Sequence, residues 1–262
     1  MRNKQSTRDK AAAARAQQLA DEKRRTRTRR IAGTTAVAIA ITSILGVAVF
    51  ASSTTQKTGA LLPEPNDNTA LPAGVLGADS PTPWAVPYNT EPINAPLLEL
   101  WEDFQCPACA AVEEINGAGI RQLADSGKIQ LVYRPTAFLD ANNGTTSSAA
   151  AINAWGCAID QNKTTEYQKI LLANQPPPGQ QWTQEQLIGY AENVGITGQP
   201  LQQFDNCITN NTYLGWAANS TEAFFDNEVQ GTPKGYLNGV VIDGTQLADQ
   251  AALIRIIEDA AQ

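Results

Sequence analysis

Residues 97–109 read LLELWEDFQCPAC, and this stretch decides the fold. Pro96 bounds a short apolar run, Leu97 to Phe104, whose length and composition predict a buried β-strand. Residues 107–124 then follow helical spacing, with Val112, Ile115, Gly119 and Leu123 predicted on one side. The motif Cys106-Pro107-Ala108-Cys109 therefore sits where a strand gives way to a helix. At that position the Cys106 thiol would cap the helix amino terminus, where unsatisfied N–H groups and the helix dipole favour thiolate over thiol. Pro107 suits the first turn, because its missing N–H had no intrahelical partner to lose. Cys109, one turn on, can close a small ring with Cys106, and its sulfur is predicted to face inward. A Cys-x-x-Cys alone is weakly specific. Half of a zinc site and a static disulfide remain open readings of the motif.

Downstream, Ile129 to Arg134 alternates as a second strand. Helical patterns follow at Ser147–Asp160, Thr165–Asn174, Thr183–Val194, Leu201–Ile208 and Tyr213–Val229, with Thr183 and Gln186 spaced as a capping box and Gly195 as the stop. After Pro233, the runs Gly235–Leu237 and Val240–Ile242 are joined by Asn238-Gly239, a strong hairpin signal. A last helix is predicted over Leu247–Ala261. The order is β-α-β, a block of helices, then β-β-α, an α/β domain.

Upstream, the composition breaks into unlike pieces. Residues 1–30 hold 11 of the 19 Lys and Arg and 3 of the 26 Asp and Glu, a net of +8. Residues 31–56 carry no charge, which leaves residues 57–262 at −15. The 21 residues from Ile31 to Ala51 match the ~30 Å apolar thickness of a bilayer at ~1.5 Å per residue. They are expected to form a single transmembrane anchor, residues 1–30 being a cytoplasmic basic tail under the positive-inside bias. A cleaved signal peptide is the competing reading, but the head and the span are both long for one. No aromatic residue interleaves the basic head, so nucleic-acid binding is not expected. Residues 52–89 are expected to be a Pro-rich linker; eight of the 15 prolines lie between Ser52 and Pro96. Trp84, Val86 and Tyr88 are apolar enough to form an edge strand of the domain instead. The compact domain is expected over residues 90–262.

The chain has no histidine, which excludes Ser-His-Asp and Cys-His catalysis, His-ligated metals and haem on a proximal His. No Gly-rich phosphate loop is present, so no nucleotide, flavin or metal cofactor is indicated. Four cysteines form an even set. In an oxidising compartment the pair left over, Cys157 and Cys207, is expected to form a structural disulfide between two helices. Two buried free thiols are the alternative.

The segments WEDFQCPAC, YRPTAFLD and GTPKGYLNG together resemble the DsbA-like branch of the thioredoxin superfamily, and more narrowly the membrane-anchored extracytoplasmic oxidoreductases of actinobacteria. The resemblance covers roughly residues 90–262. It implies a thioredoxin fold with a helical insertion at about 147–229, Cys106 as nucleophile, and Pro233 as a cis-proline beside the site, preceded by Thr232. It further implies that Cys106 and Cys109 oxidise reduced or unfolded exported proteins, and that a quinone-linked membrane reoxidase, DsbB-like or VKOR-like, renews the disulfide. Two departures stand out. Where many relatives carry His in the motif, this chain has Ala108, which suggests a milder oxidant. Where many carry a buried acid six residues before the nucleophile, it has Leu100; Glu99, Glu102 and Asp103 are candidates to replace it, and none is singled out. Reductase or isomerase activity, or a non-catalytic binding domain with merely structural cysteines, are the rival functions.

Overall fold

The computed structural model describes residues 62–89 and 94–260. The expected cytoplasmic tail, the anchor at 31–51 and the first part of the linker lie outside the described residues. Among those described, no helix is long and apolar enough to cross a membrane.

A five-stranded sheet in the order β1-β3-β2-β4-β5 forms the centre. Its strands are β1 (Val86–Pro87), β2 (Leu97–Glu102), β3 (Gln130–Pro135), β4 (Lys234–Leu237) and β5 (Val240–Ile242). β2 runs parallel to β3, and the other three pairings are antiparallel. Period-two alternation puts Leu98, Leu100 and Glu102 on one face of β2 and Glu99 and Trp101 on the other. Both faces are covered. Trp101 packs edge-on against Phe224 with the Arg134 guanidinium 4.1 Å above its ring, while Leu98 and Leu100 are buried in the main core. Asn238 and Gly239 both have positive φ, 48° and 83°, the geometry that lets a two-residue turn follow the strand twist between β4 and β5.

The crossover from β2 to β3 is helical but not uniformly so. α1 (Pro107–Val112) passes through a π-helical stretch (Glu113–Gly117) into α2 (Ala118–Asp125). The wider turn resets the helical face. Ile115, expected on the inner side, is 66% exposed, and Asn116 turns inward to donate from Nδ2 to Leu247 O at 2.7 Å. Across the bulge the Arg121 guanidinium pairs with Glu113 through both terminal nitrogens at 2.8 Å.

The helical insertion comprises α3 (Phe138–Asn143), α4 (Ser147–Ile159), α5 (Thr164–Ala173), α6 (Gln184–Asn193), α7 (Gln199–Thr209) and α8 (Leu214–Asp226). It begins one helix earlier than expected. The capping box at Thr183 and Gln186 opens α6. The Cys157–Cys207 disulfide joins α4 to α7 across a sequence separation of 50. At the carboxyl end, the single helix expected from Leu247 is two: α9 (Gly244–Ala248) and α10 (Gln250–Ala260). Asp243 and Gln246 form a second capping box at the start of α9.

Residues 62–89, expected as linker, lie against the domain as a strap. Asn66 and Asn219 exchange hydrogen bonds at 2.7 and 2.8 Å, Ala73 N donates to Asp160, and Trp216 Nε1 donates to Trp84 O at 2.8 Å. Gly156 lets the strap approach α4: a Cβ there would come within 2.9 Å of Pro72 and 2.6 Å of Tyr213. Proline bars a helix but not an extended path over an apolar surface. Trp84 and Val86 bury fully, each contributing about 1.5–3 kcal/mol, which holds the strap down. The edge strand at Val86 is the form this packing takes.

Candidate active site

The carboxyl ends of β2 and β3 and the start of β4 converge on Cys106. Cys106 is the N-cap of α1 with extended backbone (φ −80°, ψ 113°), and Pro107 occupies the first helical position. Both motif cysteines are free thiols. They are unequal. Cys106 keeps 7% of its surface and Cys109 none, so only one sulfur of the pair can be reached from outside. Pro107 and Ala108 form the exposed rim beside it.

Cys106 Sγ donates to Thr232 O at 3.2 Å, and the Thr232–Pro233 peptide bond is cis. Sequence positions 126 apart are thus brought to one sulfur. The Cys106 pKa is lowered to about 6. The largest cause is the Cys109 thiol, which donates to the Cys106 thiolate; burial opposes it, and the Thr232 side chain and the N–H groups of Cys109 and Ala108 add to the lowering. Thr232 Oγ1 is buried and has no conventional hydrogen-bond partner, so a charged sulfur is the acceptor available to it. The Thr232 carbonyl pulls the other way, since it accepts from the neutral thiol. Cys109 moves oppositely: burial, its hydrogen bond to Cys106 and the nearby Glu102 push its pKa well above the ordinary value.

The structure separates the three acids left open by the sequence. Glu99 lies on the far face and pairs with Arg134. Asp103 is wholly buried and spent on architecture, accepting from the N–H groups of Gln105 (2.8 Å) and Leu139 (3.0 Å) and from the Ser148 hydroxyl. Burial raises its pKa to about 7 against these hydrogen bonds. Glu102 shares a face with Leu100, is buried, and alone of the three interacts electrostatically with both motif cysteines. Its pKa is pushed up to about 8, chiefly by burial and by Glu113, against the hydrogen bond that Gln168 Nε2 donates at 2.6 Å.

Gln105, beside Cys106, is clamped from the insertion. Its amide nitrogen donates to Asp140 Oδ1 (2.6 Å) and Ser148 Oγ (2.8 Å), and its oxygen accepts from Asn143 and Thr145. Among the described residues no group of three His, Cys, Asp or Glu side chains is disposed to hold a metal ion. The sequence matches the family described as Thioredoxin over residues 93–259. The chain belongs to the thioredoxin family.

Solved structures that share the fold of this thioredoxin-family protein include MdbA, a thiol-disulfide oxidoreductase from Actinomyces oris, at 21% identity and a TM-score of 0.60 over 77% of this chain and 98% of that one. The MdbA thiol-disulfide oxidoreductase of Corynebacterium diphtheriae aligns at 16% identity and TM-score 0.56, over 79% and 100% of the two chains. Oxidised DsbA from Mycobacterium tuberculosis aligns at 21% and 0.51, over 75% and 90%. No curated protein sequence matches the chain. These likenesses are DsbA-like in architecture.

Of the residues singled out from sequence, Cys106, Pro107, Ala108, Cys109, Thr232 and Pro233 meet at this one place, and Cys157 and Cys207 lie apart from it in the insertion. Sequence reasoning missed Gln168 and Gln175. Gln168 lies on α5, whereas Gln175 lies beyond its end at Ala173, before three prolines. No local spacing rule links either residue to β2 or to the motif loop, so the sequence carried no signal for them.

Proposed function

We propose that this protein is a membrane-anchored, extracytoplasmic thiol:disulfide oxidoreductase that introduces disulfides into exported proteins through Cys106 and Cys109. The observation that carries the reading is the asymmetry of the pair: one sulfur reachable at a helix start beside Thr232, its partner sealed behind it. In the oxidised enzyme a substrate thiolate attacks Cys106 Sγ, the Cys106–Cys109 bond breaks, and Cys109 leaves with the electron pair. A second substrate thiolate attacks the substrate sulfur of the mixed disulfide and releases the Cys106 thiolate. Two substrate thiols become a disulfide, and the enzyme holds the two electrons as a dithiol.

The local geometry favours that direction. A stabilised Cys106 thiolate is a good leaving group and favours the dithiol, so the disulfide is oxidising. Cys109 resists existing as a thiolate and takes up a proton as it leaves; Glu102, mostly protonated at pH 7, is the buried acid positioned to supply it. Glu113 and Arg121, which act on Glu102, line an open cleft of about 520 Å³ with Ala110 and Lys169.

The Cys157–Cys207 disulfide supports an oxidising compartment. The basic head and uncharged stretch at 31–51 support a single-pass anchor with the amino terminus in the cytoplasm. Renewal of the disulfide needs a two-electron acceptor, and the family resemblance points to a quinone-linked membrane reoxidase. Two experiments test the reading. Cys109→Ser should accumulate mixed disulfides with exported proteins through Cys106, whereas Cys106→Ser should accumulate none; equal trapping by both variants, or by neither, defeats the proposal. Protease added to intact cells should remove the acidic domain and spare residues 1–30, and a cytoplasmic domain would be spared instead.

A further inference from the structure

The helical insertion reaches the thiol motif at a point that the exchange chemistry above does not use. Gln175 follows α5 and precedes Pro176-Pro177-Pro178. Its Nε2 donates to two backbone carbonyls of the motif loop, Phe104 O at 2.8 Å and Cys106 O at 2.9 Å. These carbonyls bracket the Gln105–Cys106 peptide, so one amide group spans the turn by which β2 becomes α1. Both hydrogens of the amide are committed.

Cys106 is held at its N–H by Asp103 O at 2.9 Å and at its sulfur by Thr232 O at 3.2 Å, and Gln175 adds a contact from the insertion at its carbonyl. The Cys106 backbone is extended while the next residue is helical, and its neutral side chain makes no capping hydrogen bond to the helix. Cys106 O already accepts from Cys109 N (3.0 Å) and Ala110 N (3.2 Å), and Gln175 adds a third donor from outside the helix. Phe104 O, two residues earlier, receives the other hydrogen. The negative end of the Cys106 carbonyl belongs to the same residue as the reactive sulfur, and a donor that neutralises it favours negative charge nearby. Ala108 supplies no side-chain donor to the site. The Pro-rich segment after Gln175 restricts its own backbone, so the amide is presented from a stiff support.

We propose that Gln175 is a positioning residue that the helical insertion contributes to the thiol site, holding the Phe104 and Cys106 carbonyls so that Cys106 Sγ stays at the start of α1 ready for exchange. This rests on the thiol-exchange reading and deepens it: the insertion tunes the reactive sulfur as well as enclosing it. The titratable groups that act on that sulfur from the elements around it are Cys109 on α1 and Glu102 on β2. Gln175 acts by a different route, through the backbone.

The test uses the full chain in detergent, its Cys106–Cys109 pair reduced and its Cys157–Cys207 bond intact, with Cys106 titrated by the pH dependence of its alkylation. Gln175→Met keeps the length of the side chain and removes both donors; Gln175→Glu replaces the donors by acceptors. The Cys106 midpoint should rise by about one unit from about 6 in Gln175→Glu and by roughly half that in Gln175→Met, so that alkylation at pH 6 falls about five-fold in the former. Gln181→Met alters the same loop at an exposed side chain bonded to Thr146 and away from the motif, and should leave the midpoint where it is. If Gln175→Glu fails to fold, Gln175→Met decides. Wild-type midpoints in both Gln175 variants, or an equal shift in Gln181→Met, would overturn the proposal and leave the exchange reading intact. A wild-type midpoint near 8.5 would overturn the exchange reading, and this proposal with it.

Discussion

Cys106 and Cys109 stand three residues apart at the start of one helix, whereas Cys157 and Cys207 stand 50 apart on two helices of the insertion. The first pair has one residue that keeps a small exposed edge and one that is sealed, free thiols, and pKa values driven in opposite directions. The second pair is a bonded crosslink whose Cys157 end is buried among α4 packing residues. The same element is thus set to two tasks by position. A helix start supplies N–H groups and a dipole that reward a charged sulfur. A helix interior supplies neither, and there a disulfide closes a long loop and restricts the unfolded chain.

If that division holds, substitutions at the two pairs should have opposite signatures. Cys106→Ser should reduce thiol-disulfide exchange with a reduced, unfolded protein by on the order of 10³-fold or more, because serine offers no sulfur to attack, while thermal unfolding is nearly unchanged. Cys157→Ala with Cys207→Ala should do the reverse, lowering stability in urea by about 4 kcal/mol on the chain-entropy account and leaving the exchange rate per folded molecule within about two-fold. A double variant that keeps its stability but loses exchange would break the comparison.

A smaller effect sharpens it by isolating the acid behind the open pair. Glu102 in the folded protein holds its proton to about pH 8, whereas an unfolded chain releases it near 4.5. The native state binds the extra proton within that window, so stability falls as pH rises from about 4.5 to 8. Glu102→Gln keeps an acceptor for Gln168 and removes the titration; the oxidised variant should be more stable than wild type by about 3 kcal/mol at pH 7, with no difference near pH 4. Parallel stability-pH curves for the two proteins would show that Glu102 is ionised in the fold.

How far the sequence carried this picture depends on whether the signal was local. The Asn238-Gly239 turn, the Thr183 capping box and the strand-to-helix junction at Cys106 each follow from residues within a few positions of one another. The meeting of Thr232 with Cys106 was legible only through family resemblance, since no local rule links residues 126 apart. The π-helical turn was illegible because Ile115 continues a good α-helical stripe until the bulge rotates it outward. Trp84, Val86 and Tyr88 signalled the edge strand, but the packing of the preceding strap was illegible, because proline content speaks of what backbone is forbidden and says nothing of what surface lies beneath. Asp243 and Gln246 carried a capping-box spacing that marks the start of α9 at Gly244, but nothing in it marked the break at Asp249. Among the acids, the sequence could not separate Glu102 from Asp103, as β2 ends between them and only the packed sheet says which side chain meets the sulfurs.

The central claim is that one sulfur of four is reactive and that its place at the helix start makes it so. The most direct test is the rate of alkylation against pH for the full chain after mild reduction that opens Cys106–Cys109 alone, with the labelled residue identified by peptide mapping. The account predicts a single label on Cys106 with half-maximal rate near pH 6, and no label on Cys109, Cys157 or Cys207 under the same exposure. A midpoint near 8.5, or labelling of Cys109 as fast as Cys106, would contradict it.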